Sequence, residues 1–158
     1  MKGPLATLLF LLPILMGAAC DQNAPSSADD NQNTVTEKTA SMSDTLVIKI
    51  GSREFTGTLL DNPTATAFRV MLPLTMNMTE LNGNEKYFDR SNSMPTNASN
   101  PGKINPGDLL LYGSNTLVLF YKTFSTSYSY TRLGTISNAS GLAEALGSGN
   151  VVVTMELK

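Results

Sequence analysis

Hydrophobic and polar residues alternate from about residue 45 onward. Leu46, Ile48 and Ile50 lie on one parity, the two-residue period of a strand with a buried face. Gly51-Ser52 supplies a turn into Arg53–Leu60, where Phe55, Gly57 and Leu59 share a face, so the two runs predict a hairpin. Asp61-Asn62-Pro63-Thr64 then reads as a helix start, because Asn62 can accept from free amides and Pro63 suits the first helical position. Ala65, Phe68 and Leu72 fall on one helical face, and Pro73 ends the run.

Leu74, Met76 and Met78 predict a further strand, with the two methionines as core filler. Asn82-Gly83 separates it from Glu85–Phe88 and is the strongest hairpin signal in the chain, since both residues tolerate positive φ. Residues 89–107 contain three prolines and read as a long loop, a length often tied to function or to a lid. Leu109–Tyr112 is apolar throughout and predicts a buried strand, followed by Thr116–Tyr121 and Thr131–Ile136. Ser140–Leu146 predicts a short helix closed by Gly147. Val151, Val153, Met155 and Leu157 alternate through the last strand. Many short strands, two short helices and no βαβ rhythm define a mainly β, antiparallel fold, closed or sandwich-like.

The N-terminal part has a different character. Lys2 precedes an apolar run from Leu5 to Met16, too short for a span of about 20 residues. Small residues Gly17-Ala18-Ala19 follow, then Cys20, the single cysteine of the chain. Residues 1–19 read as a signal peptide. Gly17-Ala18-Ala19-Cys20 resembles a bacterial lipobox, with Gly17 where Leu is usual. That resemblance implies a lipid on Cys20 and a location in the bacterial cell envelope, periplasmic or surface-exposed. Cleavage without lipidation, giving a secreted protein, is the other reading. Residues 20–43 are polar and without period, which predicts a flexible tether. The domain is then 44–158.

Charge sharpens this division. The chain carries a net −2, but residues 44–158 hold nine acidic and nine basic side chains, and the tether holds the excess acid. A neutral domain with no basic cluster excludes nucleic acid as a partner. With no His and one Cys, the chain cannot build a His/Cys zinc site, a Ser-His-Asp triad or an internal disulfide, and no cofactor motif is present.

Four of the five tyrosines fall between residues 112 and 130. Tyr112, Tyr121, Tyr128 and Tyr130, with Arg132, combine apolar rings, polar tips and a planar donor fork, which suits a pocket for a peptide or a small anionic or aromatic ligand. The competing reading is a tyrosine-rich barrel rim with Arg132 paired to a carboxylate. Glu85, Lys86 and Asp89 either bring a carboxylate towards Arg132 or form an exposed, solvated hairpin. Asp108, after Pro106-Gly107, reads as an Asx-type loop organiser rather than a metal ligand.

The stretches Asp61–Ala65, Leu72–Met78, Leu81–Tyr87, Pro106–Leu109, Tyr112–Asn115, Phe120–Phe124 and Tyr128–Gly134 together resemble a bacterial cyclophilin-like family, over essentially all of 44–158. The resemblance implies a closed cyclophilin-like β-barrel of about eight strands with small helices at its ends. It also raises prolyl isomerisation on envelope proteins as an alternative to plain binding. Cyclophilin catalysts use an Arg beside a Phe-Met-x-Gln-Gly stretch, with a Trp and a His around the proline. None of that stretch, Trp or His occurs here, and Arg53, Arg69 and Arg132 lie outside any such motif. The expectation is a membrane-tethered, non-catalytic binding domain with a peptide or protein partner in the envelope.

Overall fold

β1 (Thr45–Ile50) and β2 (Arg53–Leu59) form the expected hairpin, with Ile50 opposite Arg53 and Thr45 opposite Thr58. They belong to a computed structural model that describes residues 44–158. The readings of 1–19 as a signal peptide, of Cys20 as a lipid site and of 20–43 as a tether all fall outside the described residues.

The remaining elements are α1 (Pro63–Arg69), β3 (Leu74–Leu81), β4 (Glu85–Asp89), β5 (Lys103–Ile104), β6 (Asp108–Tyr112), β7 (Thr116–Phe120), β8 (Phe124–Ser125), β9 (Tyr130–Ile136), α2 (Leu142–Leu146) and β10 (Val151–Leu157). Eight strands close into an antiparallel barrel in the order β1-β10-β3-β4-β7-β6-β9-β2, while β5 and β8 pair separately. Closure leaves the barrel strands no free edge.

The interior is filled by one parity of each strand. Leu46, Ile48 and Ile50 meet Met76, Met78, Leu109, Leu111, Leu117, Leu119, Leu133, Val153 and Met155 in a single core. Both methionines sit where the alternation puts them. The opposite parity of β6 and β7 is also apolar. Leu110, Val118 and Phe120 face outward and form a second core with Ile104, Tyr130 and Phe124. This explains why Leu109–Tyr112 shows no alternation: β5 and β8 cover the strand from outside.

The helices cap opposite ends. Asn62 Oδ1 accepts from Ala65 N at 2.8 Å, and Asn62 Nδ2 donates to Arg132 O at 2.9 Å, so one side chain both starts α1 and ties it to β9. Ala65 and Phe68 are fully buried against the core; burying a side chain like Phe68 contributes roughly 1.5–3 kcal/mol. The helix stops at Arg69, short of the predicted Leu72, because Met71 N and Leu72 N bond to carbonyls three residues back and tighten the chain. At the other end, Leu142 and Leu146 of α2 enter the same core, and Arg53 Nη1 donates to Gly141 O at 3.0 Å.

The long loop is pinned rather than open. Met94 is buried in the main core, and its amide donates to Ser114 O at 2.7 Å. Ser99 and Tyr130 exchange both backbone bonds at 3.0 Å. The reading of 89–107 as wholly irregular is corrected by β5, too short at two residues to leave a period.

Candidate functional site

β4, β7, β6 and β9 lie side by side, and their outward parity carries Tyr87, Phe120, Tyr112 and Tyr130. Glu85 and Tyr87 are two apart on β4 and so share a face. Tyr87 lies opposite Val118, Tyr112 opposite Thr116, and Tyr112 opposite Tyr130. The cover of β5 and β8 ends before these residues, and a cleft of about 370 Å³ opens there. It is lined by Leu81, Asn82, Glu85, Tyr87, Tyr112, Thr116, Val118, Tyr128 and Tyr130.

The rings are held against one another. Tyr128 meets Tyr112 edge to face at 6.0 Å and 88°, and Tyr112 meets Tyr130 at 5.7 Å. Tyr130 then stands perpendicular to Phe120 at 5.6 Å, which contacts Phe124 at 5.6 Å. Each such pair contributes about 0.5–1.5 kcal/mol beyond area burial. The chain of rings runs from solvent into the outer core: Tyr128 is 62% exposed, Tyr112 46% and Tyr130 only 7%.

Glu85 is the one ionisable carboxylate lining this cleft. No hydrogen bond or ion pair reaches it among the described residues. Burial, and then repulsion from Glu80, push its carboxyl above the ordinary range. Burial is also the main reason that the Tyr130 phenol is raised, with Glu85 adding to it; the hydrogen bond with Thr126 works the other way.

The structure brings Glu85, Tyr112, Tyr128 and Tyr130 together and places Tyr121 and Arg132 elsewhere. Phe120 and Tyr121 are consecutive and point to opposite faces. Tyr121 joins the inner core, where its hydroxyl donates to Glu80 Oε1 and Oε2, both 2.9 Å away. Arg132 lines a separate opening with Asn62, Pro63, Pro95, Asn97 and Ser99. It lies 3.7 Å from Asp108 Oδ1, and the other Asp108 oxygen accepts from Asn105 N at 2.9 Å. The long loop borders this second opening, not the tyrosine cleft.

The expected solvated hairpin is corrected at Lys86, which has 0% exposure. Its ammonium donates to Glu80, to Gly147 O at 2.8 Å and to Gly149 O at 2.6 Å, and lies 5.5 Å from the centre of the Tyr121 ring. Three donors therefore meet three oxygens. Burial raises the Glu80 carboxyl, but the bonds from Lys86, Tyr121 and the Gly83 amide outweigh it and hold the group below its ordinary range. Asp89 instead accepts from Thr116 Oγ1 at 2.6 Å.

Tyr87 joins the cleft without being among the site residues that the sequence singles out, as do Leu81, Asn82, Thr116 and Val118. The signal for Tyr87 was the two-residue spacing from Glu85. Among the described residues, no group of three or more metal-ligating side chains exists, and no helix is long and apolar enough to cross a membrane.

A closed eight-stranded antiparallel barrel with a helix at each end and a cleft on its outer wall defines a cyclophilin-like domain. The chain belongs to the cyclophilin-like family, whose model matches residues 48–156. The fold is shared with the solution structure of the hypothetical protein AF2241 from Archaeoglobus fulgidus. The TM-score is 0.51 at 18% identity, covering 74% of this chain and 96% of that one. No match was found among curated proteins.

Proposed function

We propose that this chain is a binding domain of the bacterial cell envelope, tethered to the membrane by a lipid on Cys20, and that it takes a peptide or small ligand without catalysis. The observation that carries the binding role is the outward-facing cleft, in which Tyr112 and Tyr128 pack edge to face yet are about half exposed. Exposed apolar surface of this kind is a common mark of recognition sites. Among the described residues, three of the six exposed large hydrophobic side chains, Leu81, Tyr112 and Tyr128, border this one cleft. The inner barrel is filled by side chains, so the outer wall is the place for a ligand. The tether rests on sequence: a signal-like run, small residues, then a lone Cys20.

Two measurements test this reading. Mass spectrometry of the mature N-terminus is expected to find an acylated Cys20, and Cys20→Ala to release the protein from membranes; an unmodified N-terminus overturns the anchor. A thermal-shift screen with peptides and small molecules is expected to yield a stabilising ligand that Tyr128→Ala no longer binds, while Arg132→Ala still does.

The second reading, prolyl isomerisation, has one observation in its favour: the Arg132 side chain is 54% exposed at an opening bordered by Pro63 and Pro95. Catalysis there would need that guanidinium to reach a prolyl nitrogen and weaken amide resonance. An NMR exchange assay on Xaa-Pro peptides decides it, and acceleration abolished by Arg132→Ala would replace the non-catalytic reading.

A further inference from the structure

We infer that the tyrosine cleft selects a weakly hydrated organic cation, a quaternary ammonium or a guanidinium, with Glu85 as its counter-charge and Tyr87, Tyr112, Tyr128 and Tyr130 as its walls. This deepens the reading of that cleft as the binding site and rests on it.

Three observations converge. The first is an unmatched charge. Glu85 is partly withdrawn from water and has neither a hydrogen bond nor an ion pair among the described residues. The domain's other acids that are at least partly withdrawn from water are matched: Glu80 by Lys86 and Tyr121, Asp108 by the Asn105 amide and Arg132, Glu156 by Lys49. A half-buried carboxylate without a partner is costly unless an incoming group supplies the missing charge.

The second is the character of the walls. Tyrosine rings present a negative π face, and a cation within about 6 Å of such a face is attracted by it. Four tyrosines line a cleft that also holds one anion and no basic side chain. Both wall and counter-charge therefore favour a positive occupant and disfavour a negative one.

The third is a contrast inside the same molecule. Lys86 shows what a compact ammonium needs when it leaves water: three oxygens, one for each donor. The cleft offers mostly ring surface and a single carboxylate. That suits a cation whose charge is spread over methyl groups or a planar guanidinium, which loses less hydration on entry. The volume of about 370 Å³ admits such a head group with part of its attached chain. The same head group can come from a free quaternary ammonium compound or from an arginine side chain of a peptide.

The test titrates the full chain, followed by NMR of the tyrosine rings and by calorimetry, with choline, N-acetylarginine amide and the uncharged choline analogue 3,3-dimethylbutanol. Saturable binding of either cation, with shifts at Tyr112 and Tyr128, is expected to be roughly tenfold tighter than that of the uncharged analogue. Whichever cation binds more tightly identifies the source. Glu85→Gln is expected to remove that preference, and Tyr128→Ala to weaken the cation several-fold. Tyr128 is exposed enough to be replaced without loss of fold. Equal binding of the uncharged analogue overturns the cation inference while leaving the cleft as a site. No binding of either cation, with a screened ligand still lost in Tyr128→Ala, overturns the inference alone. No cleft ligand of any kind overturns both.

Discussion

Lys86 on β4 reaches across the end of the barrel to the carbonyl of Gly147, just past α2 and 2.8 Å away. The same ammonium holds Gly149 and Glu80, so one buried cation ties β3, β4 and the approach to β10 together. Lys86→Met leaves two carbonyls and a carboxylate short of a donor. We expect a loss of about 3–5 kcal/mol in urea unfolding, as when one partner of a buried pair is removed. Lys86→Met combined with Glu80→Gln should recover part of it, because the stranded charge is then gone.

Tyr121 titrates late. Burial first, then its hydrogen bond to Glu80 and the charges of Glu80 and Glu85, push its phenol from 10.0 up to about 12. The folded state thus keeps a proton that the unfolded state releases. The contribution is intact below pH 10 and is lost as pH rises towards 12. The stability of the wild type should fall over that window, and Tyr121→Phe should flatten part of the fall. At neutral pH the same substitution should cost about 1 kcal/mol, the net worth of a hydrogen bond.

Two glutamates near the same hairpin should respond in opposite ways to neutralisation. Glu80 is held below its ordinary 4.5, so its stabilisation is present above that value and is lost as pH falls through the lowered one. Glu85 is held above 4.5, so its contribution is favourable at low pH and is lost as pH rises through the raised value. At pH 7, Glu80→Gln is therefore expected to lower Tm and Glu85→Gln to raise it. Below about pH 4 the effect of Glu85→Gln should vanish, because the wild-type side chain is then neutral as well. Thermal melts across pH 3–8 read both signs, and a fall in Tm for Glu85→Gln at pH 7 would contradict this account.

The seam between β2 and β9 is short, and two glycines set its spacing. Gly134 lies opposite Leu59, and a Cβ there would stand 2.4 Å from Thr58 O; at Gly57 it would stand 2.7 Å from Thr135 O. Gly134→Ala should force the strands apart and cost roughly 1–3 kcal/mol in chemical unfolding. Gly149→Ala, whose Cβ would meet nothing within 4 Å, is the control and should leave the midpoint nearly unchanged.

The barrel could be read from the chain because its strands obey period two and its turns are local. Asn82 and Gly83 both adopt positive φ, as the hairpin signal requires. The site was harder because proximity along the chain is not proximity in a sheet. Proximity in sequence groups Tyr121 with Tyr112 and Tyr128, yet it lies one residue beyond outward-facing Phe120 and so faces the barrel interior. Strand parity carried that information. The bulge between Leu109 and Leu110 is different: it shifts the register of β6 against β9, and no local pattern marks it. Lys86 looked solvated because its carbonyl partners lie 61 and 63 residues away. Only the closure of the barrel brings them within reach.

The outward apolar parity of β6 and β7 means that the protein has two hydrophobic interiors divided by a single sheet. The inner one fills the barrel; the outer one, roofed by β5 and β8, backs the cleft wall. Changes in the length or composition of that roof can alter what the cleft accepts while the barrel beneath keeps its packing. On the binding role proposed above, the fold separates the residues that answer for durability from those that would answer for selectivity.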